Sequence, residues 1–187
     1  MRKLKITYNA PVVLTFSLLC LGATVLGIAS HGRITQILFM TYHSSLLNPL
    51  TWLRFFTHVL GHANFSHFLG NVSYLLLLGP MLEEKYGPRC LIWAILVTAL
   101  VTGAVNYVLF PQVALCGASG VVFAFILLAS FTSFREGTVP LTFVLVALIY
   151  IGQEVAEGIL LEDNVSNLSH ILGGLIGGAL GFVLNRK

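Results

Sequence analysis

Six stretches of the chain are apolar over long distances, at approximately residues 11–30, 65–82, 89–109, 117–134, 139–159 and 168–185. Each comes close to the roughly 20 residues that a membrane span requires. Inside hydrocarbon every backbone N–H and C=O must be satisfied within its own segment, so these stretches predict helices. The alternation expected of barrel strands is absent. The first run, Pro11 to Ser30, exceeds the about 7–15 apolar residues of a secretory signal and reads as a retained first span.

The polar positions between the runs differ in kind. Arg2, Lys3 and Lys5 precede the first run, Glu83, Glu84, Lys85 and Arg89 separate the second from the third, Arg135 and Glu136 separate the fourth from the fifth, and Arg186 and Lys187 close the chain. With six spans, all of these fall on one side and carry eight of the ten Lys and Arg residues. Basic residues collect on the cytoplasmic side, so both termini are expected there. The other side holds the uncharged 110–116 loop, the acidic 160–167 loop and a long connection over 31–64. That connection carries Trp52, Phe55 and Phe56 but only two arginines, Arg33 and Arg54. It is too polar to span and too aromatic to be a free linker. Amphipathic, partly helical structure in the outer interface is expected.

Composition agrees with this pattern. Of 187 residues, 57% are hydrophobic and 9% charged, where a soluble domain is nearer a quarter charged. The expectation is a single all-α membrane domain over residues 1–187, in which no second soluble domain has room. No basic block with interleaved aromatics is present, which argues against nucleic acid as a partner. Cys20, Cys90 and Cys116 are odd in number and scattered, so they suggest neither a disulfide framework nor a Cys-x-x-Cys metal pair.

The candidate chemistry centres on Gly117-Ala118-Ser119-Gly120 at the start of the fourth run. Ser119 lies sixteen residues before Arg135, His170 sixteen before Arg186, and His67 sixteen before Glu83. At a helical rise of about 1.5 Å per residue, all three sit roughly 24 Å above the cytoplasmic boundary. Asn71 follows His67 at i+4 on the same helix face. A serine becomes a nucleophile when a base takes its proton, and histidine is the usual base. His170 can serve as that base, while Asn71, His67 and the Ser119 N–H can donate to an oxyanion. The positive end of the Ser119 helix would add to that stabilisation. Gly117 and Gly120 would allow close backbone approach. No carboxylate stands beside His170, so the expectation is a Ser-His dyad without metal or cofactor. His58 and His62 have an i, i+4 spacing that also suits zinc, but they lack the metalloprotease Glu between them. They read as structural support, with His62 lining the site, and Cys116 reads as packing.

These motifs resemble those of the rhomboid intramembrane serine proteases in their minimal six-helix bacterial form. The resemblance rests on Gly117-Ala118-Ser119-Gly120, on His170 with Gly173 and Gly177, on His67-x-x-x-Asn71 and on Glu83 with Gly87. It runs from about residue 52 to 181. Leu53-Arg54 stands where the family often has Trp-Arg, and Phe123 stands where a Tyr often stacks on the catalytic histidine. The resemblance implies a six-helix bundle in the bacterial cytoplasmic membrane, with a site that opens to the non-cytoplasmic face. It also implies that the last helix packs on the fourth through Gly173, Gly177 and Gly181. The implied partners are the lipid bilayer and transmembrane protein substrates, which would be cleaved near their outer ends. Segment five and the loop after it, with Gly152 and Gly158, would form the gate, and Glu154 and Glu157 would be interfacial. A catalytically dead relative that holds transmembrane clients would lack Ser119 or His170. A transporter would show midplane charges or an internal duplication. Neither pattern is seen.

Overall fold

A computed structural model describes residues 6–132, 138–139, 141–146, 148–149 and 164–185. Its helices are α1 (Pro11–Ala29), α2 (Arg33–Leu38), α3 (Pro49–Thr57), α4 (Phe65–Tyr86), α5 (Pro88–Leu109), α6 (Ser119–Ser130) and α7 (Asn164–Leu184), with a 3₁₀ turn at His58–Leu60. Residues 141–146 and 148–149 are also helical. Among the described residues there is no strand, only an isolated bridge between Thr41 and Leu115. Among the described residues, four helices are long and apolar enough to cross a membrane: α1, α4, α5 and the Asn167–Leu184 part of α7. Large apolar side chains such as Leu18, Leu77, Trp93 and Leu175 are exposed along them, as expected where the surrounding solvent is lipid.

The fourth predicted span is shorter than expected. Helix α6 covers 12 residues, Ser119–Ser130, about 18 Å at the helical rise. The chain turns at Phe131 and Thr132, because the Phe131 and Thr132 N–H groups bond back to Leu128 and Ala129. The count from Ser119 to Arg135 therefore does not run along one unbroken helix. Arg135, Glu136, Gly152, Glu154, Glu157, Gly158, most of segment five and both charged termini lie outside the described residues.

Helix α6 is the centre of the core. Val121, Val122, Ala124, Phe125, Ile126, Leu127 and Leu128 are all buried on it, and α4, α5 and above all α7 pack around it. The α6–α7 contact is made by glycine. A Cβ on Gly173 would stand 2.0 Å from the Gly120 carbonyl oxygen, and one on Gly177 would stand 2.0 Å from that of Ala124. Backbone meets backbone without side chains between, the usual device for close helix packing in membranes.

Two polar contacts tie the helix ends together. Both carboxylate oxygens of Glu83, near the end of α4, accept the Val12 and Val13 N–H groups at 3.0 Å each. Those donors are among the four that a helix start leaves without intrahelical partners, and the negative charge suits the positive end of α1. The Lys85 ammonium donates to the Thr132 carbonyl just past α6. On the other side, buried Arg54 on α3 donates to the Tyr42 hydroxyl and to Ser44 Oγ. The 31–64 connection is therefore a folded cap containing α2 and α3, consistent with its aromatic and partly helical sequence.

Candidate active site

The site begins with the placement of His67. Asn64 caps α4, its side-chain oxygen accepting the His67 N–H at 2.8 Å. That cap fixes the first turn, so His67 and Asn71 fall on one face. The Asn71 amide donates one N–H to the His67 carbonyl at 3.1 Å, which leaves its second donor for other partners.

The loop before α6 is held by backbone bonds. Thr41 and Leu115 exchange N–H···O bonds of 2.9 Å, and the Gly117 N–H donates to the His58 carbonyl at 3.0 Å. The Asn106 amide donates to the Val113 carbonyl at 3.1 Å. Gly117 adopts φ +134°, a conformation open chiefly to glycine. A Cβ there would lie 2.9 Å from His67 Cε1, so both conformation and space select glycine. Ala118 then starts α6 with no side-chain cap. The first N–H groups of α6, that of Ser119 included, have no intrahelical acceptor.

On the facing helix the His170 ring stacks on Phe123, with centroids 4.2 Å apart and planes 6° from parallel. The phenylalanine thus keeps the flat contact expected of the ring at this position. Gly173 lies one turn beyond His170 and sets the α6–α7 separation at Gly120.

Ser119, His170, His67 and Asn71 line one cavity of about 310 Å³. Gly70, Tyr74, Leu115, Cys116, Val122 and Phe123 complete its wall. Cys116 therefore faces the cavity, although its sequence context suggested packing alone. Tyr74 was missed, yet its position three residues after Asn71 and seven after His67 places it on the same helical face.

His58 and His62 stand behind this wall. The buried His58 donates Nδ1–H to the Arg54 carbonyl at 3.1 Å, and its Nε2 faces the Thr102 hydroxyl at 3.2 Å. His62 Nδ1 lies 3.1 Å from the Leu60 carbonyl, and its ring meets His67 edge to face at 5.1 Å. Its Nε2 is buried with no hydrogen-bond partner among the described residues. His62 thus backs His67 and is not among the cavity-lining residues. Burial pushes both imidazoles down to about 4, and the nearby His67 adds to the effect at His62. Both rings are neutral at physiological pH.

The arrangement offers a hydroxyl, an imidazole on the opposite helix, and several donors around one solvent-sized space. The Rhomboid domain model matches residues 49–187. Rhomboid protease GlpG of Haemophilus influenzae is 31% identical over 139 residues, covering 70% of this chain and 68% of that protein. Rhomboid-like protein 11, chloroplastic, of Arabidopsis thaliana is 25% identical over 149 residues, covering 72% of this chain and 53% of that protein. With its helical spans, its paired motifs on α4, α6 and α7, and a domain match over most of its length, this integral membrane protein belongs to the rhomboid family.

Proposed function

We propose that the protein is an intramembrane serine endopeptidase that cleaves the transmembrane segments of other membrane proteins. The observation that carries this reading is the single cavity lined by Ser119, His170, His67 and Asn71. In the reaction, Ser119 Oγ attacks the scissile carbonyl while His170 takes its proton. The tetrahedral oxyanion accepts hydrogen bonds from the Ser119 N–H, the second Asn71 N–H and His67. Collapse of the intermediate breaks the C–N bond, and His170 returns the proton to the leaving amine. Water then enters the cavity and gives up a proton to His170. The resulting hydroxide attacks the ester carbonyl, the acyl C–Oγ bond breaks as His170 returns the proton to Ser119 Oγ, and the acyl group leaves as a carboxylic acid. Apart from that water, this chemistry uses only protein groups.

The positive-inside pattern places the charged ends, including Glu83, Glu84, Lys85 and Arg89, in the cytoplasm. The His67 end of α4 then lies toward the non-cytoplasmic face, about 24 Å from Glu83 along the helix. In this reading segment five and the loop after it form the substrate gate, and substrate bonds are cut near the outer end of the span.

The reading is tested by incubating a model transmembrane substrate with the purified protein in liposomes. The parent is expected to release two defined fragments, and Ser119→Ala is expected to release neither. Fragments of the same size from Ser119→Ala would overturn the proposed nucleophile. An inert parent that still retains the substrate would favour a client-binding role.

A further inference from the structure

Gly70 lies inside α4 and lines the cavity that holds Ser119 and His170. Glycine is among the residues least suited to a helix interior, so its presence there asks for a reason. Two ordinary reasons do not apply. Among the described residues, positive φ is confined to His31, Gly32, Gly87 and Gly117, so Gly70 does not occupy the region that favours glycine. Nor is it a packing glycine. A Cβ on Gly79 of the same helix would stand 2.6 Å from Val13, and one on Gly177 would stand 2.0 Å from backbone. A Cβ on Gly70 would meet nothing within 4 Å among the described residues, and the residue is exposed. Gly22 of α1 is open in the same way, but of the two it is Gly70 that lines the Ser119 cavity.

What glycine provides at this position is space. With 3.6 residues per turn, His67, Asn71 and Tyr74 form one ridge on α4, and Gly70 falls on the flank of that ridge away from Asn71. The half-exposed Tyr74 ring stands one turn further along the helix, and Val122 and Phe123 line the same cavity from α6. The space beside Gly70 is therefore bordered by aromatic and aliphatic side chains. Along the helix axis Gly70 is about 4.5 Å from His67 and about 1.5 Å from Asn71, the two side chains that offer donors to the oxyanion. An extended chain advances about 3.3 Å per residue. A side chain lodged beside Gly70 thus belongs to a substrate residue within two positions of the scissile bond.

We propose that Gly70 is a specificity-determining residue, whose missing side chain opens a subsite for a large apolar substrate side chain, of leucine or phenylalanine size, next to the scissile bond. The inference rests on the endopeptidase reading above and adds to it the size of one substrate residue. A side chain introduced at position 70 would stand in this subsite and exclude the substrate's own.

The test compares kcat/KM for a model transmembrane substrate in liposomes, with Ala or Phe placed in turn at each of the two positions before and the two positions after the scissile bond. A single methylene in an apolar pocket already discriminates by about 10–200-fold, so the parent is expected to prefer Phe over Ala at one of these positions by about tenfold or more. Gly70→Leu is expected to cancel or reverse that preference, with the ratios at the other positions unmoved. Gly70→Ala is expected to shift the same ratio in the same direction and by less. It carries the test if the larger side chain disturbs folding, which melting curves of both variants would show. A uniform fall in kcat/KM for every substrate, with the Phe-to-Ala ratio unmoved, would overturn the inference and leave the endopeptidase reading standing. So would a parent that cleaves but shows no preference for Phe at any position. A parent that cleaves none of the substrates would instead bring down the endopeptidase reading, and this inference with it.

Discussion

Gly117 shows how one residue can serve several purposes at once. Its φ of +134° shapes the turn into α6, its N–H is bonded to His58, and its missing Cβ leaves room for the His67 ring. Gly117→Ala is expected to cost about 1–3 kcal/mol in backbone strain alone and to displace His67 or Ser119. Cleavage by the variant should fall by more than its loss of thermal stability explains, which parallel melting and activity assays would show. Phe123 makes a simpler case. Its ring stacks on His170, and a stacked aromatic pair is worth about 0.5–1.5 kcal/mol beyond burial. Phe123→Leu should lower the cleavage rate by about three- to tenfold, and Phe123→Tyr should largely preserve it. Equal rates for Phe123→Leu and the parent would show that the ring does not position His170. That Ser119 and His170 line one cavity was legible in the sequence because each carries a flanking glycine motif. The role of Gly117 was legible only in part, because the ring that occupies its missing side chain comes from a residue fifty positions away.

At the scale of helices, two joints carry the arrangement. The α6–α7 joint depends on Gly173 and Gly177, where any Cβ would meet backbone at 2.0 Å. Backbone cannot yield as a flexible side chain can, so Gly177→Val should force the helices apart. Overpacking costs typically about 1–3 kcal/mol, and the shift should also separate Ser119 from His170 and abolish cleavage. The α1–α4 joint depends on Glu83, which caps two N–H groups of α1. Glu83→Gln retains one acceptor and loses the charge, and hydrogen bonds to charged groups contribute about 1.5–3 kcal/mol. A loss of that order in unfolding assays is expected, with cleavage by the folded fraction little changed. The glycine joint was legible from the spacing of Gly173, Gly177 and Gly181. The Glu83 joint was not, because its partners are backbone groups about seventy residues earlier, which no side-chain pattern reveals. The length of α6 was misjudged for a related reason. Phe131 and Thr132 are as apolar or as span-compatible as the residues before them, and only their backbone bonding shows the turn.

For the whole molecule, the 31–64 cap and the membrane helices meet through buried neutral histidines. His58 and His62 are held down to about 4 by burial, against an unfolded value of about 6.5. Between these values the unfolded chain binds more protons than the folded one. Stability should therefore be full above about pH 6.5 and should decline as the pH falls toward 4. His58→Gln should flatten that decline in pH-dependent melting, and an unchanged slope would count against this assignment. The membrane-length helices α1, α4, α5 and α7 were foreshadowed by the alternation of apolar runs with charged turns. Wall residues of the cavity such as Tyr74 and Leu115 were not, because the lining comes from three helices and one loop. The central claim is that Ser119 is a nucleophile activated by His170. Labelling with a fluorophosphonate probe, mapped by mass spectrometry, tests it most directly. The parent should be labelled at Ser119, and the label should be lost in both Ser119→Ala and His170→Ala. Labelling at another residue, or undiminished labelling of Ser119 in His170→Ala, would contradict it.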